Sequence, residues 1–441
     1  MMKNKQYSLF NTIGMIVGIV IGSGIFFKSD NILISTNGNI SIGVLFFCIA
    51  ALSIIFGSLS ISSLASKNSN TGGIIAYSEE FSKSSACVIG WFHTFLYYPT
   101  LIAVVSWIAG IYILLLFGIN ASLLVQIIIG FLIVIILYIL NIYSMVLGSY
   151  FQNLSTVIKI IPLIIISICG LIFGNPSDII SSPIKEASSL NIIAAITPIA
   201  FSFDGWIIAT TISHEIKNPK KNLPIALIIS PIIILTLYIL YFVGISIYVG
   251  PEKVMMLGDS HVAYAANSLL GNFGEKIILI FIIISILGTI NGIIIGFLRL
   301  PNALAERNMF PFAKKFIIIS NKFGISINSA IFTFILSTIW IIINYFTQKY
   351  NLLENSDISE ISISFNYIAY IYLYLNIIKL WKKHQISSNI KGLIFPSLAI
   401  IGSLLIVLGS FSNRLIVYYS IFCSLLVLIS MIYYKKYNTQ S

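Results

Sequence analysis

Two short runs concentrate the polar chemistry of this chain. Gly22-Ser23-Gly24 and Phe201-Ser202-Phe203-Asp204-Gly205-Trp206 set glycines and small polar residues inside long apolar stretches, about 180 residues apart. A break in a helix frees backbone N–H and C=O groups that the helix would otherwise pair. The start of the resumed helix then offers N–H groups at a positive dipole end, a seat for a carboxylate. The end of the interrupted helix offers carbonyls, a seat for an ammonium group. Two facing breaks would receive both groups of an α-amino acid without using a charged side chain. The other reading of the glycines is close helix packing. Gly14 and Gly18, ahead of the first run, fit that reading.

Isolated ionisable residues add to this. Lys159 falls in the middle of an apolar run, where it is a fixed cation for freed carbonyls, a proton carrier, or a lysine that snorkels to the nearer interface. Asp204 is open to three roles: pairing with a cationic group, binding a proton, or bonding the N–H groups of its own broken helix. The third is the structural reading. His93 reads as an interhelical hydrogen-bonding residue. His214-Glu215 begins like a zinc-protease HExxH motif, but Asn218 stands where the second histidine is required. No GxSxG or Walker loop occurs. Cys48, Cys87, Cys169 and Cys423 are far apart and match no zinc or CxxC spacing. Neither an enzyme, a metal centre nor a cofactor is expected.

The elements that must hold these residues follow from composition. Charged residues are 9% of the 441 and AVILMFWYC residues 58%, whereas a soluble domain averages about 25% charged. Mean hydropathy is +1.00. Soluble enzymes, nucleic-acid readers and disordered scaffolds are excluded on that ground. The expected class is an all-α membrane protein, since a bilayer needs about 20 mostly apolar residues per helix. Twelve segments qualify, near 10–33, 41–65, 86–117, 122–142, 151–174, 191–213, 224–249, 275–299, 327–346, 361–381, 393–411 and 414–434. The N-terminal run is too long for a signal peptide and reads as the first membrane helix.

With the N-terminus inside, 18 of the 25 Lys and Arg fall on inner segments and six on outer ones, Lys28 among the latter. That split predicts cytoplasmic termini and explains the net charge of +11 without nucleic acid. The stretch after Gly72-Gly73 reads as a short amphipathic helix at the inner face, and 250–274 and 300–326 as loops. The two breaks open the first and sixth segments, each heading a block of five. Matched breaks of this kind point to a transporter built from inverted repeats. The expected organisation is one membrane domain over 1–441, with repeats at 1–174 and 191–381 and two accessory helices at 393–434.

The residues resemble a known family. Gly22-Ser23-Gly24-Ile25-Phe26 is similar to the GSGIF signature of the amino acid–polyamine–organocation superfamily. Phe203 to Trp206 with the loop Glu215 to Pro224 resembles that family's sixth helix and following loop, especially in the L-type branch that includes serine/threonine exchangers. Ile286 to Gly292, Arg299 to Ala305 and Gln152 to Lys159 match as well. The resemblance implies a LeuT-like fold of ten core and two extra helices, the first and sixth discontinuous. It implies a substrate site at Gly22, Ser23, Gly24 and Ile25 for the carboxylate and at Phe201, Ser202, Phe203, Asp204 and Gly205 around the amino group. Phe201 would be an aromatic gate, and Lys159 would replace a sodium ion. Three positions depart from the family: Ser62-Ser63-Leu64 where Ala-Glu-Leu is frequent, Ser69 where proline precedes the glycine pair, and Ser326 or Ile327 where proline opens the ninth helix.

The resulting expectation is an alternating-access amino-acid transporter in the cell membrane, contacting lipid. It would move neutral L-amino acids by exchange or proton-linked uptake without sodium. A carrier for cationic amino acids or polyamines is the alternative within transport, and a non-transporting amino-acid sensor the alternative outside it. The sequence leaves an accessory subunit open.

Overall fold

In the computed structural model the described residues are 7–68, 72–179, 196–353, 356–411 and 415–438. The first apolar segment forms two helices, α1 (Leu9–Val20) and α2 (Ser23–Ser35), parted at Ile21-Gly22. α3 (Ile40–Lys67) follows, then the short α4 (Ile74–Glu79). The third segment is α5 (Lys83–Phe92), a π-helical turn (His93–Tyr97) and α6 (Tyr98–Leu116). α7 (Leu123–Tyr143) and α8 (Met145–Phe173) complete the first half.

The sixth segment opens as α9 (Ile196–Phe203), turns at Asp204–Ile207 and continues as a 3-10 stretch (Ile208–Glu215). Its predicted start, 191–195, lies outside the described residues. Next come α10 (Pro219–Val249), α11 (Pro251–Leu257), α12 (His261–Glu306) and α13 (Ala313–Phe316). Four more helices end the chain: α14 (Ile327–Lys349), α15 (Ile358–Lys382), α16 (Phe395–Ser410) and α17 (Ile416–Asn438).

Eleven helices or helix pairs among the described residues are long and apolar enough to cross a membrane. The sixth segment is not one of them: within the described residues it comprises the short α9 and the 3-10 stretch Ile208–Glu215. α7 and α17 turn large apolar side chains such as Leu132, Ile136, Leu425 and Ile432 outward. A helix can do this only where the solvent is lipid. Small residues let the interior helices close up. A Cβ at Gly170 of α8 would fall on the Gly244 backbone of α10, the small-residue contact expected between membrane helices.

Three local expectations need correction. The predicted loop 250–274 is largely helical: α11 occupies its first part, and α12 begins at His261 with a kink at Gly271 (φ +68°). Helix α12 likewise runs through to Glu306, shortening the predicted loop at 300–326. The helix after Gly73 exists, but Ile74 to Ser78 are all buried, so it is a packed element rather than an amphipathic surface helix. The proline missing at the start of the ninth helix has a substitute. Ser326 caps α14, its side chain accepting from the Ser329 N–H, which satisfies one of the donors left free at a helix start.

Candidate functional site

The two breaks lie against each other. Gly22 is the N-cap of α2, with φ −134° and ψ −140° and no side chain to cap the helix. A Cβ at Gly22 would overlap the Thr289 side chain of α12, and one at Gly24 would stand 2.6 Å from the Ser202 Cα of α9. The glycines therefore bring the start of α2 onto two neighbouring helices. Gly205, at φ +93°, makes the turn in the second break, a conformation open to glycine at little cost.

Between the breaks is a small cavity of about 20 Å³, room for about one water molecule. Gly22, Gly24, Phe201, Asp204 and Gly205 line it. So do Ile19, Leu101, Val105, Ile208, Thr289 and Ile293. The backbone breaks supply its polar rim and aliphatic side chains most of the rest. Three of the predicted residues do not line it. Ile25 is fully buried, and the Ser202 side chain turns back to the Pro198 carbonyl at 3.1 Å. Phe203 packs on Tyr238 and Phe47, with ring centroids 5.0 and 6.3 Å away. For Ser23 the backbone alone is described, as the first residue of α2.

Lys159 is completely buried in α8 and does not snorkel. Its ammonium donates to the Gly18 carbonyl, with Thr289 Oγ1 3.4 Å away. That carbonyl belongs to the last turn of α1, where intrahelical partners run out. Gly18 is also a packing position, because a Cβ there would collide with Thr156. Gly14 has only one atom within reach of a Cβ, at 4.0 Å, so close approach does not require glycine there.

Asp204 is bonded across helices rather than to its own N–H groups alone. Its Oδ2 accepts from the Tyr97 hydroxyl at 2.5 Å. Its Oδ1 is buried without a hydrogen-bond partner among the described residues. His93, one turn before Tyr97, bonds Asn366 Oδ1 through Nε2 at 2.8 Å, the interhelical role its sequence suggests. The His214 and Glu215 side chains lie outside the described set, and no group of metal-ligating residues occurs among the described residues.

Two features were not visible in the sequence. The Tyr238 hydroxyl of α10 stands 3.0 Å from the Val20 carbonyl and 2.8 Å from the Ser202 carbonyl, serving a freed acceptor at each break. At the end of the bundle away from Tyr7, Lys28, counted on the outer side, is buried. Its ammonium is 2.8 Å from Asp357 Oδ2 and 2.5 Å from Glu360 Oε1, and 5.2 Å from the centre of the Phe201 ring. Lys28 of this ion-paired cluster thus stands over the Phe201 ring, and Phe201 lines the cavity. At the other end, the Lys217 N–H donates to the Tyr7 carbonyl at 2.8 Å, tying the entry of α1 to the exit of the second break.

A multi-pass helical protein with two broken helices meeting at a buried cavity belongs among the membrane transporters. The family comparison makes the class definite: residues 7–439 match the model of the amino acid permease family, and the chain belongs to that family, within the amino acid–polyamine–organocation superfamily. It is 30% identical to the serine/threonine exchanger SteT of Bacillus subtilis (strain 168), over 92% of this chain and 91% of that one. It is 27% identical to the human cystine/glutamate transporter and 28% identical to the human b(0,+)-type amino acid transporter 1. Those alignments cover 70% and 65% of this chain, and 62% and 60% of the relatives. These relatives are transporters, not enzymes.

Proposed function

We propose that this chain is a sodium-independent exchanger of neutral L-amino acids, working by alternating access in the plasma membrane with both termini cytoplasmic. The observation that carries the reading is the meeting of two helix breaks at a cavity walled by aliphatic side chains. The N–H groups opening α2 would take the substrate carboxylate, and carbonyls at the end of α9 the α-amino group. The side chain would lie towards Leu101, Val105 and Ile293. At about 20 Å³ the cavity is smaller than any amino acid, so it must widen on binding.

The fold supports a LeuT-like arrangement of twelve spans, with repeats at 1–174 and 191–381 and accessory helices at 393–434. Phe201 is the gate in this scheme, released when the Lys28 ion pairs part. Lys159 supplies a fixed positive charge at the Gly18 carbonyl. A sodium ion in the same space would meet an ammonium group in a low-dielectric interior, where like charges repel strongly. The similarity to a serine/threonine exchanger favours exchange over proton-linked uptake.

The test is uptake of labelled serine, alanine and leucine into proteoliposomes. Uptake should require amino acid preloaded inside and proceed equally in sodium and choline buffers. Strict sodium dependence would refute the role given to Lys159. One observation favours a second substrate class: Asp204 lines the cavity and its Oδ1 has no hydrogen-bond partner among the described residues, which would suit a cationic side chain. Competition by lysine and putrescine that exceeds competition by alanine would decide for that class.

A further inference from the structure

Helices α5, α15 and α17 enclose a second hollow, remote from the helix breaks. Its volume is about 580 Å³, within the range of about 300–1,000 Å³ usual for small-molecule sites. Val88, Phe92, Phe365, Ile368, Val427 and Leu428 form much of its wall. Ile368 and Leu428 are exposed, so the hollow opens sideways onto the lipid-facing surface.

One end of this hollow is basic. Cys87 of α5 and Ser430 of α17 are level, with Sγ 3.8 Å from the Ser430 carbonyl oxygen. The two helices run in opposite directions. At 1.5 Å per residue, Lys83 therefore lies about 6 Å, and Lys435 and Lys436 about 8–9 Å, from that level towards the same face of the membrane. On α15, Lys379 is seven residues past Tyr372 of the wall, two turns along the same helix face. All four lysines are exposed. Of the carboxylates near this end, Glu79 is held by Arg307 at 2.7 Å, and Glu80 stands three residues before Lys83.

We propose that this hollow binds an anionic glycerophospholipid of the inner leaflet, with one acyl chain along the apolar wall and the phosphate among Lys83, Lys379, Lys435 and Lys436. The ligand is an amphiphile, because the wall is apolar and the four lysines stand together at one end of it. It is anionic, because exposed lysines from three helices stand at the depth of the headgroups, where basic clusters attract acidic lipid. The lipid would brace α15 against α5. The far end of α15 carries Glu360 of the Lys28 cluster, and the chain after α5 carries Tyr97 and Leu101 of the central cavity. Occupancy would thus bear on both gate and site. The inference rests on the membrane-spanning fold and is independent of which substrate is carried.

The test measures thermal unfolding of the purified full chain in neutral detergent with three additives: dioleoyl phosphatidylglycerol, dioleoyl phosphatidylcholine and tailless glycerophosphate. A ligand that binds only the folded state raises the unfolding midpoint. Phosphatidylglycerol should raise it clearly more than phosphatidylcholine, and glycerophosphate should leave it unchanged. The quadruple variant K83Q/K379Q/K435Q/K436Q, altered only at exposed positions, should lose the preference for the anionic lipid. A369F and S424L, which fill the hollow from opposite walls, should weaken the response, and native mass spectrometry should count fewer retained lipids on them. Equal responses to the two lipids would overturn the proposal, as would a preference that survives the lysine replacements. A response to glycerophosphate alone would assign the basic cluster to a soluble anion and refute the lipid site.

Discussion

Gly24 and Ser202 meet backbone to backbone: a Cβ built on Gly24 would stand 2.6 Å from the Ser202 Cα. The two broken helices thus touch where the proposed carboxylate and ammonium seats adjoin. Gly24→Val should abolish amino-acid binding in a thermal-shift assay, because α2 and α9 cannot close with a branched side chain between them. Crowding of this kind costs about 1–3 kcal/mol, a loss that a chain of this size should survive at near-normal expression. A variant that binds with unchanged affinity would place the site elsewhere.

Lys159→Ala removes the donor on the Gly18 carbonyl and leaves a buried acceptor unpaired, a loss of about 1–3 kcal/mol. Transport in proteoliposomes should fall sharply. An imposed pH gradient separates two roles for this lysine. A fixed cation predicts exchange that ignores the gradient in the parent protein. A proton carrier predicts uptake that follows the gradient and loses that response in the variant.

The Lys28 cluster makes a stability prediction with a built-in control. Lys28→Met would leave Asp357 and Glu360 buried without their cation, and breaking a buried pair from one side costs about 3–5 kcal/mol. Adding D357N and E360Q should restore much of the lost thermal stability, because no uncompensated charge then remains. If K28M unfolds at the parent temperature, the pairing contributes nothing to the closed state.

Phe201→Ala should lower turnover more than binding, since the ring lines the cavity without offering the substrate a polar contact. Phe201→Trp should keep partial activity. The comparison requires maximal exchange rate and dissociation constant measured on the same preparations. Full exchange activity in the alanine variant would refute the gate.

Tyr238→Phe deletes one oxygen atom and deprives the Val20 and Ser202 carbonyls of a shared donor. A loss of about 1–3 kcal/mol is expected for buried acceptors left unpaired, together with slower exchange. Equal stability and equal rate would show that the hydroxyl is idle.

The breaks at Gly22 and Gly205 are legible because glycine and aspartate are conspicuous within apolar runs. Lys159 was conspicuous for the same reason. Tyr97, Tyr238 and Thr289 were not, since hydroxyls scattered along membrane helices are ordinary and only a partner marks one out. Tyr238 finds Ser202 36 residues away and Val20 218 away. The burial of Lys28 was not legible, because counting lysines by segment assigns a side without asking about burial. Its partners lie 329 and 332 residues further along the chain. The helix at 251–257 and the start of α12 ahead of residue 275 were hidden by polar residues that suit a helix lying partly outside the apolar layer as well as they suit a loop.

A rod held at both ends can turn only about the line joining its supports. Helix α1 is held in this way. At its entry the Tyr7 carbonyl accepts from the Lys217 N–H, and at its exit the Val20 carbonyl shares the Tyr238 hydroxyl with Ser202. Both supports belong to the second broken helix or to the segment that follows it. Any swing of α1 must therefore carry the region from Ser202 to Lys217 along as part of the same lever, or shear hydrogen bonds at one of the two supports.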